Sequence, residues 1–231
     1  MVVLDPGHGG SDDGAQFRHG EELRKEKDLA LGVGIRAAKY LRNRRYTRAF
    51  RGGVKVILTR TKDVTVPLEI RSEIARKAKA DLFVSVHMNA EPSGKVRGVE
   101  TYYLNNTASE THKKIEEIEN RHSERNRPGR EASALLRSVA ADAMIGASRE
   151  AATVIHRSLV DHLALFDSPP KDRGVRQALL YVLLDAQVPG VLVETLYMSN
   201  VDDLAWATEG SNRDKLAEGL AKGILRALAT L

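Results

Sequence analysis

Residues 82–89 read Leu-Phe-Val-Ser-Val-His-Met-Asn, a short apolar run that ends in a histidine. A run of this length, rich in Val and Leu, suits a strand buried on both faces of a mostly parallel sheet. Five further runs read the same way: Val2–Leu4, Val54–Leu58, Val99–Leu104, Leu179–Leu183 and Val191–Val193. Helical patterns lie between them. Leu29, Val33, Ala37 and Leu41 recur at helical spacing, and Pro67 to Lys79 opens with proline at an expected first helical position. A last helix is predicted from Asn212 to Ala229, with Leu216, Leu220, Ile224 and Leu228 on its apolar stripe. This alternation predicts an α/β fold: an open, mostly parallel six-stranded sheet with helices on both faces.

One segment breaks the pattern. More residues separate Leu104 from Leu179 than a simple crossover needs. The turn Asn105-Asn106 precedes Thr107, with Glu110 three residues on, a capping-box signature that opens a helix. That helix fades in the charged stretch Glu124-Arg125-Asn126-Arg127-Pro128-Gly129. Periodicity returns over Glu131–Ile145, and again from Ser148, read as an N-cap, to Leu165. The expectation is one domain over residues 1–231 carrying a helical, regulatory insertion at about 105–147. A chain of 231 residues with 42% hydrophobic and 5% aromatic content supports one sizeable, mainly aliphatic core.

Composition removes several function classes. With no cysteine there is no disulfide, thiolate nucleophile or Cys-based zinc site. No apolar run approaches the roughly 18 residues needed to span a membrane. Met1 leads straight into Val2-Val3-Leu4 without a secretory leader, so the chain reads as a domain cut from something longer. The net charge of +5 and pI of about 9.4 invite an anionic partner. The densest basic stretch, Arg42 to Arg51 with Tyr46 and Phe50 interleaved, reads as a solvated helix end and loop rather than a nucleic-acid patch.

In a doubly wound sheet, ligands bind at the carboxyl ends of the strands. Three strands here end in metal-competent or acid–base residues: Val2–Leu4 runs into Asp5-Pro6-Gly7-His8-Gly9-Gly10, Leu82–Val86 into His87, and Val191–Val193 into Glu194. Taken singly, each has a bland reading as a core histidine, a tight turn or a helix cap. Together they converge on one edge of one sheet. Zinc accepts imidazole nitrogen and carboxylate oxygen, and catalytic sites offer three protein ligands with a position left open. Two histidines leave a carboxylate to be found near the start of the first helix, where Glu26 fits and Glu21 and Glu22 compete on position alone. Asp5 and Asn89 stand where they could orient the ligands.

The opening Asp5-Pro6-Gly7-His8-Gly9-Gly10 with Asp13-Gly14-Ala15 resembles the first motif of the zinc-dependent N-acetylmuramoyl-L-alanine amidases. Further matches follow in that family's order: Glu26-Lys27-Asp28, Leu58 to Asp63, Ala80 to Ala90, Gly98 to Tyr103, Arg173-Gly174-Val175, Pro189 to Glu194, and Ser199-Asn200. The resemblance spans nearly the whole chain. It implies His8, Glu26 and His87 as zinc ligands, Glu194 as the catalytic carboxylate, and Glu26 over its two neighbours. It also implies peptidoglycan as substrate and a location in the periplasm or cell envelope; a nucleic-acid partner, resting only on the Arg42–Arg51 cluster, is not expected. Leu196-Tyr197 stand where similar amidases often have Gly-Phe, Arg76 where asparagine is common, and Arg42 to Gly53 is longer than usual.

The helix opening at Thr107 has few apolar residues, Ile115 and Ile118, and Glu119 shares their face. A carboxylate on a docking face needs a cation, and so small a stripe suits a reversible lid. Some amidases resemble this layout, with a helix that plugs the site, a Glu-Asn pair that reaches the metal, and LytM-type activators that displace it. Glu119-Asn120 is the corresponding pair here, with Glu119 as a regulatory metal contact. Two other readings carry the same motifs: a zinc peptidase or carboxypeptidase on wall peptides, and a non-catalytic peptidoglycan-binding module.

Overall fold

The computed structural model describes residues 1–51, 53–104, 113–123 and 131–231. The predicted turn at Asn105-Asn106, the capping box Thr107–Glu110 and the charged stretch 124–129 lie outside the described residues. Six strands form the main sheet: β1 (Val2–Pro6), β4 (Val56–Leu58), β5 (Leu82–Asn89), β6 (Val99–Leu104), β7 (Asp172–Ala178) and β8 (Gly190–Tyr197). Their order is β4-β1-β5-β8-β6-β7. The first four are parallel, β6 runs against β8, and β7 runs parallel to β6. The sheet is therefore mixed but mostly parallel, as the alternation predicted. One edge of it collects the carboxyl ends of β1, β5 and β8 and the amino ends of β6 and β7.

Alternate residues of each buried strand feed two cores. Val2, Leu4, Leu82, Val84, Val86, Val191 and Val193 pack beneath α1 (Glu26–Arg42), α4 (Glu131–Leu163) and α7 (Gly210–Leu228). Val3, Phe83, Tyr102 and Leu192 face the other way, toward α2 (Leu68–Ala78), α3 (Lys113–Glu119) and α5 (Tyr181–Leu184). The period-2 geometry of a strand makes this division, and it also puts Asp5, Ser85 and His87 on the second face. A further helix, α6 (Val201–Thr208), is capped by Asn200, whose side chain accepts from the Asp202 and Asp203 amides.

Four expectations are corrected. Leu179–Leu183 is not a strand: Tyr181–Leu184 forms a helical turn with Val182, Leu183 and Leu184 buried. The sixth strand lies just before it, at Asp172–Ala178, an edge strand of polar residues with a register shift at Gly174. A short apolar run cannot be told from a buried helix by periodicity, and a polar edge strand has no apolar run to find. The two helices read on either side of Ser148 are one, and Ser148 is buried inside it, accepting the Gly190 N–H at 3.0 Å. Pro67 caps α2 from outside rather than opening it. A hairpin of β2 (Gln16–His19) and β3 (Glu22–Lys25) precedes α1 and carries Glu21 and Glu22 away from the sheet edge. Tyr46 and Phe50 of the basic stretch pack toward the core, Tyr46 donating to Glu218 at 3.0 Å.

Candidate metal centre and active site

The loop after β1 is built to hold His8 in a left-handed conformation, φ 58°. Its carbonyls are laced by two buried arginines. Arg60 donates to Pro6, Gly7 and Lys27 oxygens at 2.9, 2.6 and 2.7 Å. Arg71 donates to Pro6 and His8 oxygens at 2.8 and 2.6 Å and pairs with Asp5 at 2.7 Å. Lys27 completes the frame, reaching Gly10 O at 2.7 Å and Asp13 at 2.7 Å. Gly14, at φ +64°, lies so near that a Cβ there would stand 2.6 Å from Glu26 and 2.7 Å from His8.

On this frame His8, Glu26 and His87 come together, and Glu119 joins them. One donor atom from each lies within 4.8 Å of all the others. Glu26 Oε1 is 3.1 Å from both His8 Nε2 and His87 Nδ1. The Glu26 carboxylate is fixed by the Ala15 amide at 2.9 Å and the Met88 amide at 3.0 Å. Glu119 Oε2, from the end of α3, stands 3.1 Å from His87 Nδ1 and 4.0 Å from His8 Nε2.

The hydrogen bonds made outside the cluster leave one nitrogen of each histidine facing it. Asp12 accepts from His8 Nδ1 at 2.9 Å, so Nε2 carries the lone pair in the neutral ring. Ser85 Oγ donates to Asp5 at 2.8 Å and therefore accepts from His87 Nε2 at 3.2 Å, leaving the His87 lone pair on Nδ1. Both lone pairs aim at carboxylate oxygens. His8 Nε2 is buried with no hydrogen-bond partner among the described residues. Lone pairs facing carboxylates repel unless a cation lies among them, and two imidazole nitrogens with a carboxylate oxygen are a donor set that zinc accepts. The residues present fit a divalent ion.

The charges around the cluster favour a positive charge at its centre. Burial alone would lower the His8 pKa, but Glu26, Asp12 and Glu119 hold it well above the usual value. Burial opposes ionisation of Glu26, yet the two histidines keep its pKa far below the usual range. Glu119 moves the other way, raised by burial and by Glu26 and Asp12 against the pull of both histidines.

Glu194 is fully buried on β8 in register with His87 on one side and Glu100 on the other. Neither of its carboxylate oxygens meets a donor among the described residues. Burial, and then Glu119, Glu26 and Glu100, push its pKa well above the usual carboxylate value. A carboxyl kept protonatable beside metal-competent ligands is a candidate acid–base group.

Asp5 bears on this site through Ser85, whereas Asn89 accepts from its own neighbour Ala90 at 2.7 Å and reaches no ligand. Asn120 also departs from expectation. Its side chain turns away from the cluster, donating to Leu179 O at 2.6 Å and accepting from Tyr181 N at 2.8 Å. Glu116 accepts from the Leu179 amide at 2.8 Å. Polar clamps, with Ile115 in the core beneath, therefore hold α3 in place. The α3 residues Ile118 and Glu119, with the nearby His122, wall a cleft of about 290 Å³ opposite Thr65–Glu69.

Sequence reasoning missed Arg60, Arg71, Asp12, Ser85 and Glu100. It inspected the carboxyl ends of strands, and Glu100 lies at the amino end of one. Glu100 is buried and receives the hydroxyls of Tyr102 at 2.8 Å and Tyr197 at 2.7 Å, and Nε of Arg173 at 2.8 Å and Arg176 at 3.1 Å. Burial would raise its pKa, but these donors hold it below the usual value. Tyr197, at one of the positions that depart from the resemblance, supplies one of those donors.

Comparison with known proteins matches residues 2–226 to the family described as N-acetylmuramoyl-L-alanine amidase, Amidase_3. The amidase AmiA of Escherichia coli K12 is 33% identical over 233 residues, covering 97% of this chain and 75% of that protein. Among solved structures, N-acetylmuramoyl-L-alanine amidase AmiC2 of Nostoc punctiforme superposes with a TM-score of 0.70 at 30% identity, covering 99% of this chain and 96% of that one. The N-acetylmuramoyl-L-alanine amidase of Clostridium difficile 630 gives 0.72 at 25% identity, covering 99% and 96%.

Proposed function

Since this chain belongs to the N-acetylmuramoyl-L-alanine amidase family, and hydrolyses the amide between N-acetylmuramic acid and L-alanine in peptidoglycan, we propose that His8, Glu26 and His87 hold a zinc ion for the reaction and that Glu194 is its acid–base group. The observation that carries this reading is the convergence of those three donors, lone pairs inward, one strand away from a buried and unsatisfied Glu194. Bound zinc would polarise the scissile carbonyl and acidify a water from a pKa of about 15.7 towards 7. Glu194 takes a proton from the attacking water and returns it to the departing nitrogen of L-alanine. Asp12 and Ser85 hold the two imidazoles in the tautomers the ion needs, and Arg60 and Arg71 hold the loop that aims His8.

The same reading gives α3 a regulatory role within one domain, as part of an insertion at about 105–147. Glu119 stands where a fourth donor would reach the ion, so the resting chain is autoinhibited. A partner of the LytM type would release it by breaking the clamps of Glu116 and Asn120. The substrate locates the work in the periplasm or cell envelope. No helix among the described residues is long and apolar enough to cross a membrane. The family match favours the amidase over a peptidase, and the competent side chains at all four positions argue against a purely binding role.

Metal analysis of the purified chain, together with its products on purified sacculi, tests the proposal. About one zinc per chain is expected, removable by chelator, along with glycan strands freed of peptide. His87→Ala should contain no zinc and release nothing. Stoichiometric zinc in that variant would overturn the ligand assignment.

A further inference from the structure

Beyond the metal cluster, one row of residues continues along the same sheet edge. His87 on β5, Glu194 on β8 and Glu100 on β6 are register partners in turn, so their side chains share a face. Next to Glu100, on β7, stand Arg173 and Arg176. Both bind Glu100 Oε1 through Nε, and among the described residues no Nη of either donates to Glu100. One Arg176 Nη donates to Arg173 O at 3.1 Å. Arg173 also lies over the Tyr197 ring, 5.5 Å from its centroid. The two side chains are 31% and 36% exposed, while Glu100 is 3% exposed. Two guanidiniums share one carboxylate, and among the described residues neither has another carboxylate partner. The cluster keeps one positive charge, held rigidly at the rim of the site.

Resting on the amidase reading above, we propose that Arg173 and Arg176 form a carboxylate subsite that binds the stem peptide of the substrate. The lactyl carboxyl of the sugar is consumed in the scissile amide, so the substrate's negative charge lies on its peptide side. Strands are spaced by about 4.8 Å, which puts β7 roughly 10 Å from Glu194. An extended peptide rises about 3.4 Å per residue, so the carboxylate concerned belongs to the second or third residue of the stem. A planar guanidinium held through Nε presents the paired N–H edge that recognises a carboxylate in two-point fashion. Tyr102 and Tyr197 are positioning residues, keeping Glu100 ionised and aimed at both arginines. The subsite gives the substrate a direction across the sheet: peptide over β6 and β7, glycan over the cleft beside β1 and α2.

The test compares two soluble muramoyl peptides, one with free carboxylates beyond its first residue and one with those carboxylates amidated. The full chain is assayed for KM and kcat on each, and for Kd toward each released peptide. Wild type should favour the free acid by about 10- to 100-fold in KM and Kd, the scale of a charged hydrogen-bonded contact. R173Q and R176Q should each erode that preference while kcat changes less than about two-fold. Arg157→Gln, on an exposed part of α4, should leave it intact. Equal handling of the two compounds by wild type overturns the subsite without needing any variant to fold. So does a preference that survives both substitutions, or an equal loss on both compounds. If neither wild type nor Glu119→Ala cleaves either compound, yet wild type still prefers the free-acid peptide in Kd, the function proposed above fails and the subsite stands. If the Kd preference is missing too, both fail.

Discussion

His87 and Glu194 are register partners on adjacent parallel strands, so the proposed metal ligand and the proposed acid–base group are fixed by the same ladder of backbone hydrogen bonds. Neither depends on a loop for its position. Glu194→Gln keeps the shape and gives up the proton. It should retain about one zinc per chain and lose at least ~10²-fold in rate on sacculi. Loss of zinc with activity would make Glu194 a ligand instead, and near-normal turnover would remove it from the mechanism.

Ser85 has no contact with substrate in this scheme, yet it decides which nitrogen of His87 carries the lone pair. Ser85→Ala frees the ring to hold its proton on the wrong side. Zinc affinity, measured by competition with a chelator, should fall by about 10- to 100-fold with the fold unchanged. An unaltered affinity would show that the tautomer is set by something else.

The Asp5–Arg71 pair is buried on both sides. Asp5→Asn leaves a guanidinium with only carbonyl acceptors and should cost about 3 kcal/mol, the low end for breaking such a pair. The effect has a definite pH dependence. Burial would raise the Asp5 pKa, but Arg71 and Thr59 bring it below 3.8. A carboxyl whose folded pKa is depressed contributes fully above its unfolded value and loses that contribution as pH falls through the folded one. Denaturant melts of wild type and variant should therefore differ by a constant amount above about pH 5 and converge below pH 3.8. A gap that persists undiminished into strong acid would mean that shape, not charge, is what Asn fails to supply.

For α3, two substitutions separate blocking from holding. Glu119→Ala removes the carboxylate at the cluster, and Asn120→Ala removes the clamp on Leu179 and Tyr181. Both should raise basal release from sacculi by several-fold without altering zinc content. If both leave it flat or lower, with melting temperature intact, α3 is a structural element and not a lid.

Much of the architecture was legible because buried parallel strands are written as uninterrupted Val, Leu and Ile. Convergence of His8, His87 and Glu194 on one edge followed from where those runs stop. What stayed hidden has physical reasons. An edge strand such as Asp172–Ala178 needs only one partner and carries no apolar signature, while Tyr181–Leu184 is apolar because it is a helical turn with three of its residues buried. Asp12, Ser85, Arg60 and Arg71 act on the site through hydrogen bonds to backbone or to rings, and no spacing rule marks them. Glu100 escaped because β6 runs backwards relative to its neighbour, bringing an amino end to the edge where carboxyl ends were expected.

That reversal has a consequence for how such a chain can change. β6 and β7 are parallel, so the segment joining them must travel from one end of the sheet back to the other, whatever it is made of. Material added to that return path shifts no strand register, and loop closure grows only slowly with length. A control element can thus be gained, enlarged or discarded there while every catalytic side chain stays where its strand put it. In this chain α3 lies on that path, so the lid proposed for it could be lost without moving the strands that carry His87 and Glu194.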